Sequence, residues 1–161
     1  MDACIKTGLD VVKICLVKET PLCEKQKICT AQDAITAISH ELSLLDREIF
    51  CVLNLKTNGD LINFNIVSMG TLNISLVSSR EVFKSSILSN ANSIIAFHNH
   101  PSGNHEPSEC DIAVTKKLYE AGQLLDIHLL DHIIVAGLTG NFYSFGDHDM
   151  LNFNHSIPYI T

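Results

Sequence analysis

The segment Phe97-His98-Asn99-His100-Pro101-Ser102-Gly103, followed by Pro107-Ser108-Glu109-Cys110-Asp111, concentrates the chemistry of this chain. It reads H-x-H, ten further residues, then Asp, with a Ser three positions before that Asp. Two imidazoles and one carboxylate make a three-ligand set for zinc. Such a set leaves the fourth tetrahedral position to water, which separates a hydrolytic zinc from a structural one. A site of two His and one carboxylate would also accept manganese, iron, cobalt or nickel. The plainer reading of the same residues is that the two His are loop residues and that Asp111 only caps a helix.

The surrounding elements decide whether these side chains can meet. Ser93-Ile94-Ile95-Ala96-Phe97 is short, apolar and partly β-branched, which suits a buried strand. Extended through His100, it puts His98 and His100 on one face and Asn99 on the other. Pro101 ends the strand pattern, and Ser102-Gly103-Asn104 reads as a turn. Ser108 with Asp111 forms a capping-box pattern, so a helix is expected from Ser108 to about Ala121, with Gly122 as its C-terminal cap. Asp111 then lies in the first turn, where the helix dipole favours negative charge.

Elsewhere the pattern predicts strands over Val11–Val17, Ile49–Leu55, Leu61–Val67, Thr71–Val77, Ile127–Val135 and Phe142–Phe145. Glu19 to Lys27 reads as a connector, and Thr57-Asn58-Gly59 as a hairpin turn. Helices are expected from Thr30, with Ile35, Ile38, Leu42 and Leu45 at helical spacing, and from Ser78 to about Leu88. Asp147 to Thr161 is aperiodic, a docked or frayed tail. The order is α+β, a mixed sheet flanked by helices in a single domain spanning residues 1–161, with a core over about 31–145.

At 161 residues such a domain can bury roughly two-thirds of its unfolded surface. The formal net charge of −7 gives no overall basic footprint for duplex nucleic acid. No run approaches the length of a membrane span, and the N-terminus lacks the apolar core of a signal peptide. The expectation is a cytoplasmic protein with six reduced cysteines, and the spacing of Cys23 and Cys29 is wrong for a zinc knuckle. The apolar composition leaves a homodimer open.

The motif resembles the JAMM metallopeptidase signature, H-x-H-P-x6-S-x2-D, of the JAB/MPN superfamily. His98-Asn99-His100-Pro101-Ser102-Gly103 looks like the version carried by bacterial RadC-like proteins. Gly70-Thr71-Leu72, Arg80-Glu81-Val82-Phe83, Asn90-Ala91 and Leu129-Leu130-Asp131-His132-Ile133-Ile134-Val135 resemble further family blocks, so the resemblance runs from about Ala31 to Phe145. It implies a three-layer MPN fold, like that of cytidine deaminases, with zinc on His98, His100 and Asp111. It also implies cleavage of a peptide or isopeptide bond by metal-activated water.

The family's upstream Glu falls on Glu48, which would carry the water's proton to the leaving amine; Glu41 and Glu81 fit exposed helix positions. The signature Ser falls on Ser108, whose hydroxyl would face the oxyanion, although capping competes for the same oxygen. His132, in a family block, would orient a ligand; His105 reads as exposed and non-ligating. Two departures stand out. Asn99 occupies a position held by Ser or Thr in the deubiquitinase-like members, and the chain has no room for the N-terminal helix-hairpin-helix region of longer RadC proteins. An MPN scaffold without turnover, or a DNA-repair-associated protein as the RadC name suggests, are the alternatives. The peptide or protein substrate is not legible in the sequence.

Overall fold

A computed structural model describes residues 13, 15–17, 27–43, 47–70, 77–137 and 141–152. Helix α1, Ala31–Ser43, starts where Thr30 and Asp33 exchange capping bonds. The Thr30 hydroxyl accepts from the Asp33 amide, and the Asp33 carboxylate accepts from the Thr30 amide. Strand β1, Ile49–Leu55, is buried at every position, and a turn with Gly59 at φ +83° leads into β2, Leu61–Met69. Helix α2, Ser79–Leu88, is followed by β3, Ser93–Asn99, which is also buried throughout. Helix α3, Glu109–Leu125, then crosses to β4, His128–Ala136, and β5, Asn141–Ser144, closes the sheet.

The five strands lie in the order β2-β1-β3-β4-β5. Only β3 and β4 pair in parallel; β1 runs antiparallel to both β2 and β3, and β5 antiparallel to β4. Parallel neighbours need a crossover, and α3 supplies it. Central strands with both faces covered explain why β1 and β3 read as continuous apolar runs.

One face carries Cys51, Leu53, Ile95, Phe97, Ile133 and Val135 against Ile35 and Ile38 of α1. The other carries Phe50, Val52, Ile94 and Ala96 against Val82 and Phe83 of α2 and Val114 and Leu118 of α3. This is the expected α/β/α arrangement around a mixed sheet.

Two expectations change, and a third falls mostly on residues outside those described. Of the strand anticipated over 11–17, the described residues Lys13, Cys15, Leu16 and Val17 are exposed and carry no regular structure; the rest lies outside the described residues. The strand expected over 71–77 also falls largely outside them, and Val77 is irregular. Gly122 does not end α3. The helix runs on to Leu125 and closes on Asp126 in a left-handed conformation, φ 55°.

Gly122 has a different task. The Ile127 carbonyl passes so close that a Cβ at this position would sit 2.5 Å from its oxygen, while the Ile127 amide donates to the Gly122 carbonyl. A glycine here lets the chain fold back from α3 into β4. Gly122→Ala is expected to destabilise the domain by about 1–3 kcal/mol, because the obstacle is backbone that cannot rotate away. Denaturant unfolding will read this as a lower midpoint.

Cys15, Cys29, Cys51 and Cys110 are free thiols; Cys4 and Cys23 lie outside the described residues. No helix among the described residues is long and apolar enough to cross a membrane. After β5 the chain turns back, and Met150 and Leu151 pack on the core. The tail expected from Asp147 is thus docked at its start, and positions 153–161 lie outside the described residues.

Candidate metal centre

The end of β3, the start of β1 and the N-terminus of α3 converge on one spot. The alternation of β3 turns His98 and His100 toward the α3 face, and the capping box of α3 delivers Asp111 there. One ligand atom from each of the three lies within 4.8 Å of the others. The two Nε2 atoms are 2.9 Å apart, His98 Nε2 stands 3.2 Å from Asp111 Oδ1, and His100 Nε2 stands 3.7 Å from Asp111 Oδ2. His98 and Asp111 are buried and His100 is half-buried. The two imidazoles and the carboxylate singled out by spacing therefore meet in space.

Hydrogen bonding defines what each ligand presents. His100 Nδ1 lies 2.7 Å from the Asn104 carbonyl, which can only accept, so Nδ1 carries the proton and Nε2 is a bare lone pair. Asp111 Oδ2 accepts from the Ser108 amide at 2.6 Å and from the Ser108 hydroxyl at 2.7 Å. Asp111 Oδ1 is buried with no hydrogen-bond partner. A buried carboxylate oxygen without a donor, facing lone pairs of two imidazoles, is a donor set that fits a cation.

The electrostatics agree with that reading. Burial holds His98 below the ordinary imidazole range, against the pull of Asp111, and holds His132 well below it. Burial also opposes the Asp111 carboxylate. His98, when it carries a proton on Nε2, and the two Ser108 donors outweigh it, and its carboxyl lies below the usual range. A neutral His98 and an ionised Asp111 are the protonation states that a metal requires of them.

The remaining site residues fall as follows. Glu48 is half-buried, one residue before β1. Phe50 pairs with His98 at the end of the β1–β3 ladder, and the charge of Glu48, two residues before Phe50, is among those that act on His98. The Ser108 hydroxyl both accepts from the Asp111 amide and donates to its carboxylate, so in this structure it serves the cap. His105 sits 3.8 Å from Glu106 and is absent from the ligand cluster.

Asn99 has a role that spacing did not reveal. Its side chain is fully buried, its Oδ1 accepts from the Ile49 amide at 2.7 Å and its Nδ2 donates to the Arg47 carbonyl at 3.0 Å. These two peptide groups flank Glu48. The Glu48 carbonyl in turn accepts from the Gly70 amide. Asn99 thus holds the segment that carries Glu48 against β3, with a donor and an acceptor on one side chain that Ser or Thr could not place in the same way. Asn99→Ala is expected to cost about 1–3 kcal/mol, since at least one buried backbone group loses its partner. It should also raise hydrogen exchange at the Ile49 amide before that at the middle of β1.

A sequence model of the RadC-like JAB domain matches residues 28–150. The chain belongs to that family. The UPF0758 protein of Methanosarcina barkeri is 42% identical over 123 residues, covering 76% of this chain and 53% of that protein. Those of Desulfitobacterium hafniense and Shouchella clausii are each 45% identical over 109 residues, which is 68% of this chain. They are covered over 48% and 47% of their own lengths. The chain spans about half the length of the curated relatives it matches. The match covers every element of this RadC-like JAB domain from the start of α1 to the turn after β5.

Proposed function

We propose that this RadC-like JAB domain is a zinc-dependent hydrolase of the JAMM type that cleaves a peptide or isopeptide bond. The observation that carries the reading is the partnerless, buried Asp111 Oδ1, 3.2 Å from His98 Nε2 and clustered with His100, with the charge of Glu48 acting on His98. Zinc held by these three side chains acidifies water and polarises a carbonyl oxygen.

The protein supplies the rest. The Glu48 carboxylate accepts the proton of the attacking water and returns it to the leaving amine, a task that requires a carboxylate beside the metal ligands but not among them. Phe50 against His98 and Phe145 against His132 line the inner side of the ligands with apolar rings, which strengthens charge interactions at the centre. For Ser108 to donate to a substrate oxyanion, its hydroxyl must leave Asp111 Oδ2, which keeps the bond from the Ser108 amide. The substrate is a peptide or protein. Among the described residues β2 pairs with β1 on one side and is the outermost strand on the other, where an extended peptide can add as a further strand.

The test is to load purified protein with zinc and screen peptide-linked and isopeptide-linked substrates. Cleavage that a chelator abolishes and zinc restores is expected. A folded, zinc-loaded protein that cleaves none of them would overturn the reading and leave the fold as a binding scaffold.

A further inference from the structure

Behind His98 runs a chain of short hydrogen bonds through His132 and Thr115. His98 Nδ1 is 2.9 Å from His132 Nε2, His132 Nδ1 is 2.6 Å from Thr115 Oγ1, and Thr115 Oγ1 is 2.6 Å from the Asp111 carbonyl. All four residues are buried. The chain begins at one candidate ligand and returns, through the backbone, to another.

Its proton positions follow from the far end. The Asp111 carbonyl can only accept, so the single proton of Thr115 Oγ1 points to it. The Thr115 oxygen must then accept from His132, which places the His132 proton on Nδ1. A neutral His132 consequently offers Nε2 as a lone pair, and His98 must donate to it from Nδ1. His132 is packed between Phe50, Phe145, His98 and Thr115, with no carboxylate side chain in contact to support a cation. The result is a bare Nε2 on His98, 2.9 Å from the bare Nε2 of His100 and 3.2 Å from Asp111 Oδ1, acceptors that a cation would satisfy together.

This arrangement has a competitor. If His98 carried its proton on Nε2, it would donate to Asp111 Oδ1 and satisfy the buried oxygen that now has no partner. His98 Nδ1 would then need a donor, and His132 could be one only by moving its own proton to Nε2. That would leave two lone pairs, His132 Nδ1 and Thr115 Oγ1, facing each other at 2.6 Å unless Thr115 abandoned the Asp111 carbonyl. The Thr115 hydroxyl therefore decides between a tautomer ready for metal and one that blocks it.

We propose that Thr115 and His132 are positioning residues that lock His98 in the Nδ1-protonated tautomer and so prepare its Nε2 for a metal ion before the ion arrives. The tautomer rests on the Thr115–His132 hydrogen bonds, and its effect on affinity rests on the metal reading above. Loss of partners that orient a ligating His typically weakens metal binding 10–100-fold.

The experiment compares wild type, Thr115→Val and Thr115→Ser. Two readouts are taken: long-range nitrogen–proton NMR correlations of the His98 ring in metal-free protein, and zinc affinity by competition with a chelator. Valine keeps the shape and removes the hydroxyl; serine keeps the hydroxyl and removes a methyl.

The expected result is a wild-type His98 protonated on Nδ1. In Thr115→Val, His98 shifts toward the Nε2-protonated form and binds zinc about 10–100-fold more weakly, whereas Thr115→Ser keeps the wild-type tautomer and affinity. His132→Phe, which preserves a ring against Phe50 and Phe145, is the second variant should Thr115→Val fail to fold, and it should weaken zinc binding similarly. The proposal is overturned if wild-type His98 carries its proton on Nε2. It is equally overturned if Thr115→Val, or His132→Phe in its place, leaves tautomer and affinity unchanged, or if Thr115→Ser is as impaired as Thr115→Val. A wild type with the expected tautomer but no zinc binding would support the lock and refute the metal reading.

Discussion

His100→Ala protein will fold like the wild type and carry almost no zinc, where the wild type carries about one ion per chain. His100 suits this test because it stands at the rim of the site, half-buried, with its Nδ1 bonded to a loop carbonyl rather than to the core. Removing it deletes one of three converging ligand atoms and leaves the sheet untouched. The expected loss of affinity is at least about a hundredfold, beyond what residues that only orient ligands contribute.

Asp111→Ala would be a poorer choice. It also removes the capping box of α3, worth about 1 kcal/mol, and so mixes metal loss with helix loss. Mass spectrometry of the intact protein, without chelator in the preparation, supplies the stoichiometry, and circular dichroism confirms the fold. A wild type that takes up no zinc even when zinc is offered back would sink the metal reading.

The second large effect is expected at Glu48. Glu48→Gln keeps the size and much of the polarity of the side chain but cannot accept a proton, so it should retain zinc and lose hydrolysis by about 10²- to 10⁴-fold. Its place in the structure supports a clean test. It lies one residue before β1, close enough for its charge to act on His98, and outside the His-His-Asp cluster. The backbone around it is held by Asn99 and Gly70, not by its own carboxylate.

Rate and metal content must be measured on the same preparation. Equal zinc with lost turnover identifies the base. Hydrolysis retained by Glu48→Gln would remove Glu48 from that role, while zinc lost together with activity would make it part of the binding site.

Much of this was legible in the chain. The His-His-Asp cluster was legible because two independent local patterns had to coincide: period-two alternation through His98 and His100, and a capping box ending on Asp111. Both are short-range consequences of backbone geometry, and both hold in the structure. The strand over Ile49–Leu55 was legible for the same reason, since a strand that is apolar on both faces belongs in the middle of a sheet. Gly122 misled because glycine is the common helix terminator, whereas here the constraint is a carbonyl five residues on that approaches only after the chain has folded back.

The amino-acid order therefore settles which side chains could hold a metal, because strand and helix periodicities act within a few residues. Tertiary structure alone decides which nitrogen of each imidazole is free, why Asn rather than Ser stands between the two histidines, and what Thr115 is for. Those answers depend on contacts between residues far apart in sequence. Asn99 reaches the peptides on either side of Glu48, and His132 bridges β4 to both β3 and α3. Hydrogen-bond direction is a property of such closed circuits. No local pattern carries it, because each donor is defined only by the acceptor that folding brings to it.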